Sequence, residues 1–276
     1  MLNSLRLGSK LPVLVAILFL LPIFPSFSAD EKWEKTLTSS SPPTFPAPRP
    51  MRAKYSFSWS GIPGASADAR MTRAGDRLEI EGTIHTAGLI RSLWKFDGTH
   101  SSSVDAATLR PRTMKQTDKT RKKKTVTELS FNPVGVTSHE LETPGKSADP
   151  EIRHFDLPDV FDLYSALLYL RSQPLKDEDI LRIVVYPATS AYLATVTVVG
   201  REQLTGPTGT YDSIKLDLQL NKINKNRELE VHKKFRRATV WLSDDSDRLL
   251  LKIQAQIFVG TVLAELQSVK FDDKPK

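Results

Sequence analysis

Alternation governs the pattern of apolar and polar positions over most of the chain. Tyr55, Phe57 and Trp59 alternate with Lys54, Ser56 and Ser58, and after Gly61-Ile62-Pro63-Gly64 the pattern resumes as Ala65, Ala67, Ala69 and Met71. A period of two puts one set of side chains on one face of a strand, so these runs predict a hairpin. Alanines set against large aromatics suit a tightly curved sheet, whose facing layers interlock without voids. Further strands are predicted near 78–84, 96–104, 109–115, 125–131, 136–142, 180–186, 192–199, 211–220, 235–242, 249–258 and 261–269. The segment 87–94, AGLIRSLW, interrupts them as a short helix or a wide bend. Almost every connection is too short for a crossover, so the strands are expected to pair antiparallel as a meander.

One stretch breaks this rhythm. In LPDVFDLYSALLYLRSQ, 157–173, apolar residues recur at three- and four-residue spacing, among them Phe161, Leu163, Leu167, Leu168 and Leu170. That spacing predicts a helix over 159–173 with apolar groups on more than one stripe, expected to be buried on two sides. Pro158 with Asp159 or Asp162 offers its start, and the Pro174 that follows Gln173 ends it. Neither flank carries another long helix, so both sets of strands need this one as a cover. The fold class is therefore all-β with one main helix: a large antiparallel meander curved into a half-barrel or barrel, with helix 159–173 packed on it.

The ends read differently. Arg6 and Lys10 precede an apolar run, LPVLVAILFLLPIFPSFSA, which is shorter than a membrane span and broken by Pro22 and Pro25, the pattern of a signal peptide over 1–28. Residues 29–50, with Ser39 to Ser41 and five prolines between Pro42 and Pro50, read as an extended linker. The β-rich domain is expected over 51–271 and a polar tail over 272–276. Of 39 basic residues, removal of Arg6 and Lys10 leaves 37 against 32 acidic ones, a formal charge of +5. Such an excess is too small for a dedicated nucleic-acid binder. There is no cysteine, which excludes disulfides, thiolate metal sites and a lipid-modified cysteine.

Candidate chemistry is sparse. Asp244, Asp245 and Asp247 form the densest acidic cluster, but Asp and Ser in a hairpin turn satisfy their own backbone, and no calcium-loop glycine or distal glutamate accompanies them. The histidines, His85, His100, His139, His154 and His232, lie far apart, and Ser165 lacks a nucleophile elbow. Asp162 with Arg171, and Arg201 with Glu202, read as structural partners. Lys119 and Arg121 to Lys124 crowd like charges into one hairpin tip, read as solvated or as a contact for anions. SVDAATLRPRTM (103–114) and LSDDSDRLLLKI (242–253) echo one another as strand, acidic turn and strand. That similarity is open between a structural repeat and the common recipe for a hairpin.

The order Trp59-Ser60-Gly61-Ile62-Pro63, Thr86-Ala87-Gly88-Leu89-Ile90, then 161–171, Gly200-Arg201-Glu202, Pro207 to Asp212 and Trp241-Leu242-Ser243-Asp244-Asp245 resembles domain of unknown function 3108, a family of exported proteins of Gram-negative bacteria. The resemblance spans about residues 55–269. The turn at Gly61 to Gly64 is one residue shorter than usual in that family, and Leu250 stands where proline is commoner. The resemblance implies a periplasmic or secreted protein and no particular chemistry.

The functional expectation is a non-enzymatic binding module of the cell envelope for a lipid or other amphiphile. The alternative is a structural or protein-interaction module without a small ligand. Phe161, Tyr164, Leu168 and Arg171 are the residues expected to line a site between helix and sheet. No metal, cofactor, nucleic-acid partner or transmembrane segment of the mature chain is expected.

Overall fold

The computed structural model describes residues 32–39, 46–145 and 147–272. The leader expected at 1–28 and all but residue 272 of the tail expected at 272–276 lie outside them. The chain forms two compact units, 1–35 and 36–276. Of the first, the described residues are 32–35, of which 33–35 belong to the 3-10 turn Trp33–Thr36. All that follows concerns the second.

The first eight strands are β1 (Met51–Trp59), β2 (Ile62–Ala74), β3 (Arg77–Thr86), β4 (Phe96–Asp105), β5 (Pro111–Thr120), β6 (Lys124–Asn132), β7 (Gly135–Thr143) and β8 (Glu151–Phe155), with helix α1 (Gly88–Leu93) between β3 and β4. After β9 (Val160–Phe161) and helix α2 (Leu163–Ser172) come β10 (Ile180–Val185), β11 (Ala191–Gly206), β12 (Gly209–Ile223), β13 (Leu229–Val231), β14 (Phe235–Ser243), β15 (Leu250–Ile257) and β16 (Gly260–Phe271). They make one sheet in the order β8-β7-β6-β5-β4-β3-β2-β1-β16-β15-β14-β12-β11-β10-β9, with β13 paired only to β12. The chain starts mid-sheet, meanders out to one edge, crosses to the other and meanders back, so β1 and β16 pair at the seam. Every pairing is antiparallel except β9 with β10.

The sheet must curl. β8 ends at Phe155 and β9 begins at Val160, yet they are opposite edges, and an extended chain covers only about 3.5 Å per residue. The edges duly meet through side chains: Ser138 Oγ donates to the Ala188 carbonyl at 3.0 Å, and the Phe155 and Tyr186 rings lie 6.0 Å apart. No strand pairing closes the gap, so the result is a curved, open half-barrel. Its register matches alanine to aromatic as the pattern predicts, with Tyr55 opposite Ala67 and Phe57 opposite Ala65.

Helix α2 begins four residues later than the 159–173 expected. Val160 and Phe161 instead pair with Val184 and Val185, and Asp159 has a left-handed φ of 64° that no helix accommodates. Asp162 is the N-cap: its Oδ1 accepts from the Ser165 amide at 2.6 Å while Ser165 Oγ accepts from the Asp162 amide at 3.0 Å. The helix ends at Ser172, with Gln173 extended before Pro174. It is buried on two sides, except that Leu163 faces solvent and Leu167 is only half-buried. The strands β8 and β13 have no counterpart in the apolar pattern, because each is short and carries its exposed residues on a sheet edge. Among the described residues no helix is long and apolar enough to cross a membrane.

Candidate functional site

Helix α2 lies across the interior of the half-barrel, and its two faces meet different halves of the sheet. Ala166 and Tyr169 join Phe161, Leu181, Ile183, Val185, Val196, Ile214, Leu216 and Leu242 in the main core. Leu168, from the other face, packs with Met71, Leu78, Ile80, Val104 and Leu109. Of the four residues expected to line a helix–sheet site, Phe161 and Leu168 are therefore core fillers, exposed by only 1% and 3%. Phe161 sits 4.9 Å from the Tyr169 ring, with the Arg110 guanidinium 4.3 Å above its face.

Arg171 is buried at the far end of the helix. Its Nη2 donates to the Asp247 carbonyl at 2.6 Å, Nε has no hydrogen-bond partner, and burial pushes its pKa below the usual arginine value. The expected pairing of Arg171 with Asp162 does not occur, because the two occupy opposite ends of α2. Asp162 instead takes the hydroxyl of Ser102 and the amide of Ser165, and burial pushes its carboxyl up from the usual range. Nor does Arg201 pair with Glu202: adjacent strand residues point to opposite faces. Glu202 accepts from Trp241 Nε1 at 2.6 Å and from Lys215 at 3.2 Å, while Arg201 reaches Asp244 at 2.8 Å.

The acidic turn is likewise engaged. Asp245 Oδ1 accepts from Ser243 Oγ and from the amides of Asp247 and Arg248 at 2.7–3.0 Å, and Asp247 pairs with Arg49 at 3.2 Å. The echo turn between β4 and β5 has the same construction, with Asp105 Oδ1 accepting from the amides of Ala107 and Thr108. The two turns serve the two ends of α2: Arg110 follows the first and pairs with Asp159 at 2.8 Å, and Asp247 lies in the second.

Tyr164 is different from the other three candidates. It points at β3, where a Cβ on Gly82 would come within 2.4 Å of its hydroxyl, and its pKa is pushed up to about 12 by burial and by Asp162. Gly82 is therefore the notch that admits the tyrosine. Beyond it the register sets out the inner face in rows. Ala53, Ala69, Gly82, His100, Gln116 and Thr127 form one, and Tyr55, Ala67, Ile84, Gly98, Asp118 and Thr125 the next. Phe57 and Ala65 follow, and Phe96 stands beside Gly98, whose missing Cβ would lie 3.2 Å from its ring. Phe57, Ala65, Ala67, Ile84 and Phe96 are all half-buried, so α2 stops short of covering this stretch.

On this stretch Ala65 and Ala67 lie low beside half-buried Phe57, while Tyr164 fills the notch at Gly82 and Ile84 and Phe96 close over Gly98, and the resulting groove has one polar side. His100 Nε2 lies 3.8 Å from Asp118 Oδ1, the Tyr164 ring meets His100 edge-on, and Asp118 Oδ1 is buried without a hydrogen bond. Sequence reasoning passed over this set. Its signal was the alternating alanines together with Gly82 and Gly98, which gain meaning only once register aligns them. A depression of about 410 Å³ is lined by Arg52, Lys54, Asp68, Arg70, Glu81 and Lys270 together with Ala53, Ala69 and Gly82 of the first row. Lys54 and Asp68 pair across it at 3.5 Å.

An open antiparallel half-barrel with a helix plugging part of its bore is the class these features define. The family described as protein of unknown function DUF3108 matches residues 54–267, and the chain belongs to it. Among solved structures it is similar to a beta-barrel-like protein of domain of unknown function DUF1849 from Brucella abortus, at 10% identity and a TM-score of 0.58, covering 83% of this chain and 100% of that one. A protein with a YmcC-like fold from Bacteroides fragilis follows at 8% identity and a TM-score of 0.36, covering 82% and 98%. A DUF1089 family protein from Pseudomonas aeruginosa gives 12% identity and a TM-score of 0.38 over 70% and 90%. No curated protein matches the chain.

Proposed function

We propose that this protein is an exported, non-enzymatic binding module of the bacterial envelope that takes an amphiphile into the uncovered part of its half-barrel. The observation that carries the reading is the half-buried apolar strip Phe57, Ala65, Ala67, Ile84 and Phe96. It ends at the convergent polar groups of His100 and Asp118. Concave apolar sites with few polar groups are where small amphiphiles bind. The strip takes the chain; the imidazole and carboxyl meet a polar head. Phe161 and Leu168 hold the helix and touch no ligand in this reading, and Tyr164 forms the wall between core and groove. The apolar leader, residues 1–28, supports export.

The test is a binding titration of a dansyl-labelled fatty acid of sixteen to eighteen carbons, with the lipid extract of the purified protein analysed by mass spectrometry. Saturable binding that Ala67→Phe abolishes while the melting temperature holds is the expected result. No saturable binding and no co-purifying lipid would favour the second reading, a protein-interaction module, which draws on the packing of α2 against the sheet without a gap at Phe161 and Leu168.

A further inference from the structure

One end of the sheet gathers large apolar residues that stay exposed. Leu89, Leu93 and Trp94, in and after α1, are 60%, 68% and 56% exposed, and Phe258, in the β15–β16 turn, is 57% exposed. Trp59, Ile62 and Val259 join them, also exposed. These residues belong to three separate connections that named contacts bind into one rim. Trp59 Nε1 donates to the Val259 carbonyl at 2.8 Å, and the Ser60 amide to the Thr261 carbonyl at 2.7 Å. The Ala87 amide donates to the Gly64 carbonyl at 2.8 Å, which ties α1 to the start of β2.

The basic hairpin tip completes this rim. Arg121 Nη2 donates to the carbonyls of Arg91 and Ser92 at 3.2 and 2.6 Å, seating the β5–β6 turn on the end of α1. Beside it Lys119, Lys122 and Lys124 are exposed, and among the described residues none of the three makes an ion pair with a carboxylate. The rim therefore combines protruding tryptophan, phenylalanine and leucine side chains with unneutralised lysines.

We infer that this rim docks on the surface of an anionic bilayer. Tryptophan and leucine lower their free energy in the headgroup region, where an aromatic ring keeps its polar edge wet. Lysines beside them are drawn to anionic headgroups, and long aliphatic stems let the ammonium groups reach those headgroups while the rim is immersed. Charge complementarity selects the bilayer over an apolar protein partner: a protein groove fitted to Leu93 and Trp94 does not need three free cations around it. The inference stands apart from the groove reading, since it concerns residues at the hairpin tips.

Hydrogen exchange of the full chain, with and without vesicles, reads the contact locally and separates it from insertion of the apolar leader. With phosphatidylglycerol–phosphatidylcholine vesicles at low salt, amides in 59–64, 88–96 and 257–262 should slow, and with phosphatidylcholine alone or at high salt they should not. Leu93→Ser and Phe258→Ser, on separate hairpins, should each remove the protection without moving the melting temperature. Lys119→Glu and Lys122→Glu should each weaken vesicle binding about fivefold or more, since a basic residue near such a surface contributes about 1 kcal/mol. Ala67→Phe should leave rim protection intact even where it abolishes fatty-acid binding. Absence of rim protection with anionic vesicles, or protection indifferent to the lysines and to Leu93 and Phe258, overturns the inference.

Discussion

The two halves of the half-barrel, β1–β8 and β10–β16, are both antiparallel meanders, and each turns an aspartate-capped hairpin toward one end of α2. Their inner faces differ. The second half presents Leu181, Ile183, Val185, Val196, Val198, Ile214, Leu216, Val240 and Leu242, all buried, so the helix is fixed to it. The first half offers Met71, Leu78, Ile80 and Val104 at the helix, and past Gly82 its apolar residues Phe57, Ala65, Ala67, Ile84 and Phe96 are only half-buried, with His100 and Asp118 beside them. Two antiparallel meanders thus differ in burial, one packed tightly on the helix and one half-buried beyond it. Side-chain volume, more than strand arrangement, decides which part of the bore is fully packed and which is only half-buried.

The sharpest way to break this contrast is to truncate one large apolar side chain in each region. Phe161→Ala removes a fully buried ring from the main core and should cost about 3–5 kcal/mol in urea denaturation. Ile84→Ala, on the half-buried wall of the groove, should cost about 1 kcal/mol, because partly exposed groups lose less on truncation. Equal losses would mean that the groove is packed core.

The hairpin turns test the shared part of the architecture. Asp245→Ala strips a carboxylate that accepts from two backbone amides and the Ser243 hydroxyl, and Asp105→Ala does the same for Ala107, Thr108 and the Thr108 hydroxyl. Each should cost about 1–2 kcal/mol, as loss of a helix cap does. Neither Asp244→Asn nor Asp245→Asn should reveal a calcium- or magnesium-dependent change in melting temperature. A divalent-ion stabilisation that the substitutions remove would make the second turn a metal site and end the likeness.

Two carboxyls in these regions should give pH slopes of opposite sign. Hydrogen bonding to Arg112, then to the Thr108 amide, lowers Asp105 to about 2. Its stabilisation is present above the unfolded value of about 3.9 and is lost as pH falls through about 2. Burial raises Asp162, against the hydrogen bonds of Ser102 and Ser165 that pull it down. The native state there holds its proton longer than the unfolded chain, so stability falls as pH rises from about 3.9 until the folded group ionises. Melting profiles should therefore lose an acid-side slope in Asp105→Asn and flatten above pH 4 in Asp162→Asn. A profile for Asp162→Asn that parallels the unsubstituted protein would mean that the cap is charged throughout.

Most of the fold was legible because period-two alternation and short turns admit few arrangements. Thirteen of the strands fall on segments the pattern marked. What was not legible depended on neighbours distant in sequence. Nothing local says that β1 pairs with β16, or that Val160 and Phe161 would join β10 and delay the helix. The candidate residues were chosen by helical spacing alone, which finds apolar positions but cannot tell a packed face from an open one. Phe161, Leu168 and Arg171 proved to be interior, and only Tyr164 borders the groove. The low part of the inner face came from Ala65 and Ala67, with Gly82 making room for Tyr164 and Gly98 for Ile84 and Phe96, residues whose small size means nothing until β2, β3 and β4 are set side by side.

The smallest expected effect is the most discriminating. Ala67 and Ala166 are both alanines on the interior side, one over the groove and one on α2 in the main core. Enlarging either adds the same atoms. At Ala166 a phenylalanine must displace neighbours already in contact, and overpacking of that kind costs about 1–3 kcal/mol. At Ala67 the residue is half-buried and its cross-strand neighbours Tyr55 and Ile84 are half-buried too, so the added ring has apolar surface to lie against without entering the packed core. Ala67→Phe should therefore change stability by less than about 0.5 kcal/mol in either direction, the range of substitutions that neither strain nor empty a core. If Ala67→Phe instead destabilises as much as Ala166→Phe, the first half is as full as the second, and the space that distinguishes them is not there.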